Sequence, residues 1–199
     1  MNNFSPVTIG WVAIATGIAG LLGLAFIILF FTIGQPFGTL NDIFIGLTAI
    51  LSGVLAWMLY AERHTQKPLP DLIALILALL GALVVLLGSI LVISGKTGWF
   101  LAGLYMAAGN ALIGVWLLRL NSSALQSNNP WPHSLIIFGI VIGIVMVLGL
   151  ATIPGIINGI DSWEAAPWTI NTIGWASALG WLIIYPLWCI LLGRVLILK

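Results

Sequence analysis

The chain alternates between long apolar stretches and short polar connections. Six stretches are long enough to cross the hydrocarbon core of a bilayer, which takes about 20 mostly apolar residues in a helix. They cover residues 8–33, 42–60, 71–94, 98–118, 134–153 and 173–196. Backbone polar groups in lipid need partners within the structure, and the stretches lack the alternation of barrel strands. The pattern therefore predicts six transmembrane helices.

None of the connections looks like a linker between domains, so the sequence predicts a single domain over residues 1–199. The expected fold is an all-α integral membrane protein, a bundle of six helices. The start of the second helix is the least certain boundary, because Asn41 and Asp42 stand at its edge. Pro186 interrupts the sixth helix, where it leaves the carbonyl of Leu182 unpaired and predicts a kink.

The composition supports the same class. Hydrophobic residues make up 61% of the chain and charged residues only 6%, whereas a soluble domain carries about 25% charged residues. Such a chain cannot cover a soluble surface, and it lacks both the polarity of a disordered segment and the basic face of a nucleic-acid-binding protein. The lipid bilayer is the partner that the composition implies, and nucleic acid is not expected.

The distribution of Lys and Arg predicts the orientation. With six crossings both termini lie on one side of the membrane, and positive residues favour the cytoplasmic side. The opposite side would hold only Lys96, while the side of the termini would hold Arg63, Lys67, Arg119, Arg194 and Lys199. We therefore expect both termini in the cytoplasm and the protein in the plasma (inner) membrane.

Reactive groups are scarce along the chain. No Asp, Glu, Lys or His lies in the middle of a predicted helix, which argues against ion pumps, proton-coupled carriers and intramembrane proteases. No Cys/His cluster has metal-ligand spacing, and the single cysteine, Cys189, stands in an apolar run. The sequence thus predicts no catalytic residue, no metal and no cofactor, and nothing in it indicates an enzyme.

Asn110 is the strongest polar residue in the middle of a predicted helix. An amide in hydrocarbon needs a partner across the bundle, and the available hydroxyl groups belong to Thr16, Thr48, Ser52, Ser89 and Ser177. The amide either fixes the register of two helices or anchors a ligand in a cavity. The candidate residues of such a cavity are Asn110, Tyr105, Trp181, Tyr185 and Pro186.

The longest connection, residues 154–172, offers a candidate recognition surface. Asp161 and Glu164 have the spacing of a helix cap and its third residue, and with Trp163 and Trp168 they predict a short amphipathic helix on the outer face of the membrane. The segment either recognises a partner there or simply connects two helices at the interface.

Small residues predict how the helices pack. Lipid tails are as apolar as leucine, so membrane helices associate where small residues let their backbones approach. The fifth helix contains a GxxxG motif, and the expected packing residues are Gly139, Gly143, Gly17, Gly20 and Ala107. These faces serve either contacts inside the bundle or a homo-oligomer.

Two functions fit the sequence. The first is the binding or transport of a neutral or apolar small molecule or lipid, without an intramembrane proton relay. The second is a non-catalytic structural or accessory subunit of a membrane complex or homo-oligomer. The interior of the bundle discriminates them, because a cavity favours the first function, and a solid core with an exposed groove of small residues favours the second.

Overall fold

A computed structural model describes residues 4–62, 69–127 and 130–198. They form six long helices, each apolar enough to span a membrane, and the described residues contain no strand. The helices are α1 (Pro6–Ile33), α2 (Phe37–Glu62), α3 (Leu69–Ile93), α4 (Trp99–Gln126), α5 (His133–Ile157) and α6 (Trp168–Ile197). The predicted all-α bundle of six helices is confirmed, and its length and composition are those of an integral membrane protein.

The helices form a closed ring in chain order. Each helix packs against its neighbours in the sequence, and α6 returns to pack against α1. Short connections impose this order, because they leave consecutive helices antiparallel and adjacent. The start of α1 and the end of α6 share one side of the bundle, called here the terminal side. The connections after α1, α3 and α5 lie on the opposite side, called the far side.

All six helices extend beyond the predicted apolar stretches at one end or both, and the second and fourth show why. The second begins at Phe37 instead of residue 42, so Asn41 and Asp42 lie inside it and are buried. The fourth continues to Gln126, which places Arg119 inside the helix, where its Nε lies 2.5 Å from Oδ1 of Asp71 in α3. Polar residues continue these helices because neighbouring helices bury or pair them, an effect that hydropathy alone does not capture.

The last two helices are irregular. The fifth changes from α-helix (His133–Val147) to a 3-10 turn (Leu148–Thr152) before its final α-helical turn. In α6 a π-helical turn, Gly180–Ile184, separates the α-helices Trp168–Leu179 and Tyr185–Ile197. A wide turn directly before Pro186 accommodates a ring that would collide with a regular helix. The interruption of the sixth helix that Pro186 predicts is therefore this π-helical turn.

The small residues expected to support packing lie at contacts within the chain. A Cβ added to Gly143 would lie 2.6 Å from Cγ of Leu118 in α4, and one added to Gly17 would lie 2.5 Å from the Pro186 carbonyl oxygen. The other three expected residues, Gly139, Gly20 and Ala107, are likewise covered by α4, α6 and α5.

Candidate functional site

The far-side half of the bundle contains an apolar cavity of about 330 Å³. Its wall is built by the end of α1, the first turns of α2 and α4, and the first half of α6, and it includes Leu24, Ile45, Gly103, Met106, Gly174 and Leu182. The residues that line it include no ionisable side chain. A volume of this size and an apolar wall are typical of small-molecule sites.

The cavity exists because α1 contacts mainly one half of α6. Along Tyr185–Ile197 the two helices pack closely, and a Cβ on Gly20 would lie 2.6 Å from Cγ of Pro186. Beyond the π-helical turn, the first half of α6 packs instead against α5 and α4, and the cavity fills the space next to α1. Wall residues Ile28 and Leu179 are 55% and 54% exposed, so the cavity is open at the side, towards the surroundings of the bundle.

Aromatic rings close the far end of the cavity. The ring centroids of Phe31 and Trp99 are 5.6 Å apart, and those of Phe100 and Trp163 are 6.1 Å apart, both in edge-to-face arrangements. Trp163 also lies 5.9 Å from Trp175. Such pairs stabilise beyond the area they bury, and together they connect α1, α4, α6 and the loop between α5 and α6.

Three polar atoms of wall residues are buried without a hydrogen-bond partner. They are Oδ1 of Asn41, Oδ1 of Asn171 and the indole Nε1 of Trp181. The hydroxyl of Thr152, by contrast, donates to the carbonyl oxygens of Gly149 and Leu104, at 2.7 and 3.2 Å. An unpartnered buried polar atom costs about 1–3 kcal/mol, so these three mark where a ligand could gain affinity.

Asp42 lies inside α2, whereas the sequence placed it at the edge of the second apolar stretch. It lies in the second turn of α2 and is 5% exposed, and its Oδ1 accepts a hydrogen bond from Nδ2 of Asn41 at 3.2 Å. Within the described parts of the chain no cationic group forms an ion pair with it. A carboxyl group in such surroundings is costly and is a functional candidate by default.

Of the predicted cavity residues, only Trp181 lines the cavity. Asn110 is buried, but its Nδ2 donates to the Met106 carbonyl of its own helix at 2.9 Å, and not to a partner across the bundle. Tyr185 donates to Oγ of Ser52 at 2.9 Å. Pro186 packs against α1, and Tyr105 packs against Gly88 of α3. The structure therefore does not bring the five residues together.

The predicted recognition segment has a different role. Residues 161–166 form turns and not a helix, and Asp161 caps α4 instead of a helix of its own. Its two carboxylate oxygens accept the backbone N–H groups of Gly98, at 2.6 Å, and Leu101, at 3.0 Å. A side chain at Gly98 would collide with this carboxylate. The cap thus fixes the loop between α5 and α6 to the start of α4.

The other members of the predicted segment are exposed. Glu164 and Trp168 both project from the surface, whereas Trp163 is partly exposed and also lines the cavity. The aromatic part of the segment therefore contributes to the far end of the cavity.

Sequence reasoning missed most of the cavity wall. An apolar residue that lines a cavity looks the same in a sequence as one that faces lipid, so Leu24 or Leu182 carries no distinguishing signal. One signal of the cavity wall could have been found, namely the adjacent pair Asn41 and Asp42 beside an apolar run. Two polar side chains are costly to bury, so their place in a helix needs an explanation.

The described residues contain no group of three His, Cys, Asp or Glu side chains that could hold a metal ion. No protein-family model, curated protein or solved structure matches this chain. The function must therefore be argued from the cavity and the residues around it.

Proposed function

We propose that the protein binds a neutral or apolar molecule, of the kind that dissolves in a bilayer, in the far-side cavity. The observation that supports this is an apolar cavity, open at the side between α1 and α6, in a bundle whose other helix contacts are closed by glycines. A molecule dissolved among lipid tails reaches such an opening without crossing water. Binding is also the first step of transport, which would require the opening to change.

The second function, a structural or accessory subunit, has less support. It was inferred from faces of small residues and from the absence of a reactive group of side chains, and the five packing residues named above contact other helices of the same chain. Those faces therefore need no second protein to cover them.

We also infer that both termini are cytoplasmic and that the membrane is the plasma (inner) membrane. Arg119 and Arg194 lie towards the terminal side, and Lys96 lies in the far-side turn between α3 and α4. The other three basic residues expected on the terminal side fall outside the described residues: Arg63, Lys67 and Lys199. In this orientation the cavity opens in the outer leaflet.

Native mass spectrometry of protein released from mild detergent tests the binding. Gly103 lines the cavity, and a Cβ added there meets no atom within 4 Å, so the ring of Gly103→Phe should start from open space and occupy part of the cavity. We expect a bound small molecule on the natural protein and its loss in Gly103→Phe.

The matched control is Leu83→Phe, at a position of α3 that is 62% exposed and away from the cavity, and it should retain the bound mass. An unoccupied natural protein, or equal occupancy in a folded Gly103→Phe variant, would overturn the proposal. Recovery of a protein partner with the cavity unoccupied would favour the accessory role.

A further inference from the structure

We propose that the molecule bound in the cavity carries a neutral hydroxyl group, which the side chains of Asn41 and Trp181 recognise together. This inference rests on the proposed function, because it names the head group of the molecule that the cavity would bind. The site combines an unpartnered acceptor and an unpartnered donor on an otherwise apolar wall.

The acceptor is Oδ1 of Asn41. The side chain is 2% exposed and lines the cavity. Its Nδ2 donates to Oδ1 of Asp42, so the amide oxygen is the end of the side chain that this contact leaves free. The oxygen is left buried without a partner. A bound donor would therefore satisfy it.

The donor is Nε1 of Trp181, which is likewise buried without a partner. Trp181 lines the same cavity and packs against the apolar cluster that contains Ile45, one helical turn after Asn41. The two unpartnered groups thus belong to side chains that line one cavity.

A hydroxyl group is the simplest neutral head group that matches both. It donates one hydrogen bond and accepts others, so it can satisfy the amide oxygen and the indole N–H at once. A hydrocarbon satisfies neither group. A carboxylate has no proton to donate and would lie near the carboxyl group of Asp42, and an ammonium group cannot accept from the indole.

The test uses three bromine-labelled probes of equal chain length: 11-bromoundecanol, 1-bromoundecane and 11-bromoundecanoate. Bromine quenches indole fluorescence on contact, and four tryptophans line the cavity: Trp99, Trp163, Trp175 and Trp181. With the protein in lipid nanodiscs, saturable quenching reports the cavity, and probe dissolved in the lipid gives a linear background. We expect the alcohol to bind about tenfold more tightly than the alkane or the carboxylate, a factor typical of one or two buried hydrogen bonds.

Variants separate recognition of the hydroxyl from folding. Trp181→Phe keeps an aromatic ring but removes the N–H, and it should lower the preference for alcohol over alkane several-fold while alkane binding stays unchanged. Asn41→Leu should abolish the preference. Asp42 positions the amide of Asn41, so Asp42→Leu should lower the preference for alcohol over alkane. If Asp42 served only the folding of α2, this preference would not change. The control Trp57→Phe removes an indole on α2 outside the cavity and should leave the ratio unchanged.

The outcomes distinguish this inference from the proposed function. Saturable binding of all three probes with equal affinity, or an alcohol preference that Trp181→Phe leaves undiminished, would overturn the hydroxyl site formed by Asn41 and Trp181 and leave only the proposed binding in the cavity. Absence of saturable quenching by any probe would overturn both proposals. Tighter binding of the carboxylate would show that the wall recognises an anion instead.

Discussion

Two glycines in α4 illustrate how residues of one type take opposite roles. At Gly109 an added Cβ would lie 2.6 Å from the carbonyl oxygen of Gly81 and 2.8 Å from the backbone nitrogen of Val85. A Cβ added to Gly103, less than two turns earlier in α4, would instead project into the cavity. The first glycine lets two backbones approach closely, and the second leaves part of the cavity open.

This difference predicts opposite effects of the same substitution. Gly109→Ala should lower the free energy of unfolding by about 1–3 kcal/mol, because the new methyl group meets the backbone of α3, which cannot rotate away. Gly103→Ala should leave stability unchanged or raise it, since alanine favours a helix over glycine. Thermal unfolding in one detergent measures both variants, and equal loss of stability would show that α3 and α4 do not approach as described.

Asn110 shows what the sequence could and could not predict about a polar residue. Its burial followed from its place in an apolar helix and is observed. Its partner did not follow, because an amide in a helix can also bond to the carbonyl four residues earlier, as Asn110 does with Met106. The hydroxyl groups of Thr16, Thr48 and Ser52 do the same in their helices.

Among the elements, the loop between α5 and α6 connects the cavity to the stability of α4. Asp161 satisfies two backbone N–H groups at the start of that helix, and Trp163 two residues later packs against Phe100. The loop is therefore held at the far end of the cavity by one carboxylate and one aromatic contact.

Removing the carboxylate should release this loop. Asp161→Ala should cost about 0.5–2 kcal/mol, the usual effect of losing a helix cap, and Asp161→Asn should cost less because one acceptor oxygen remains. Hydrogen exchange of residues 158–167 should become faster in Asp161→Ala. The control Glu164→Ala removes an exposed carboxylate from the same loop and should change neither quantity. Unchanged exchange in Asp161→Ala would mean that the cap does not hold the loop.

The sequence predicted the number and order of the helices, since each apolar stretch of about 20 residues has one physical explanation. Their ends were less predictable, as α2 and α4 show, because burial by a neighbouring helix allows polar residues to continue a helix. The position of the cavity could not be predicted, although Trp181 was among the candidates for its wall. It arises from where α6 leaves α1, which depends on the packing of Gly20 against Pro186 and on the π-helical turn before that proline.

At the scale of the whole molecule, the ring gives the bundle two unlike halves. On the terminal side, α1 and α6 pack closely and Tyr185 and Trp188 fill the interior. On the far side the same two helices separate and leave the cavity between them. The proposed function therefore depends on which side faces the cell exterior, because the orientation decides from which leaflet a molecule would enter the cavity.

Labelling of single cysteines in intact cells determines this orientation. The natural Cys189 is fully buried, so a membrane-impermeant maleimide should not reach it. Two exposed positions form a matched pair: Asn158 follows α5 on the far side, and Gln126 ends α4 on the terminal side. Since cations gather on the terminal side, we expect Asn158→Cys to be labelled from outside and Gln126→Cys only after the cells are permeabilised. The reverse pattern would place both termini outside and open the cavity to the cytoplasmic leaflet.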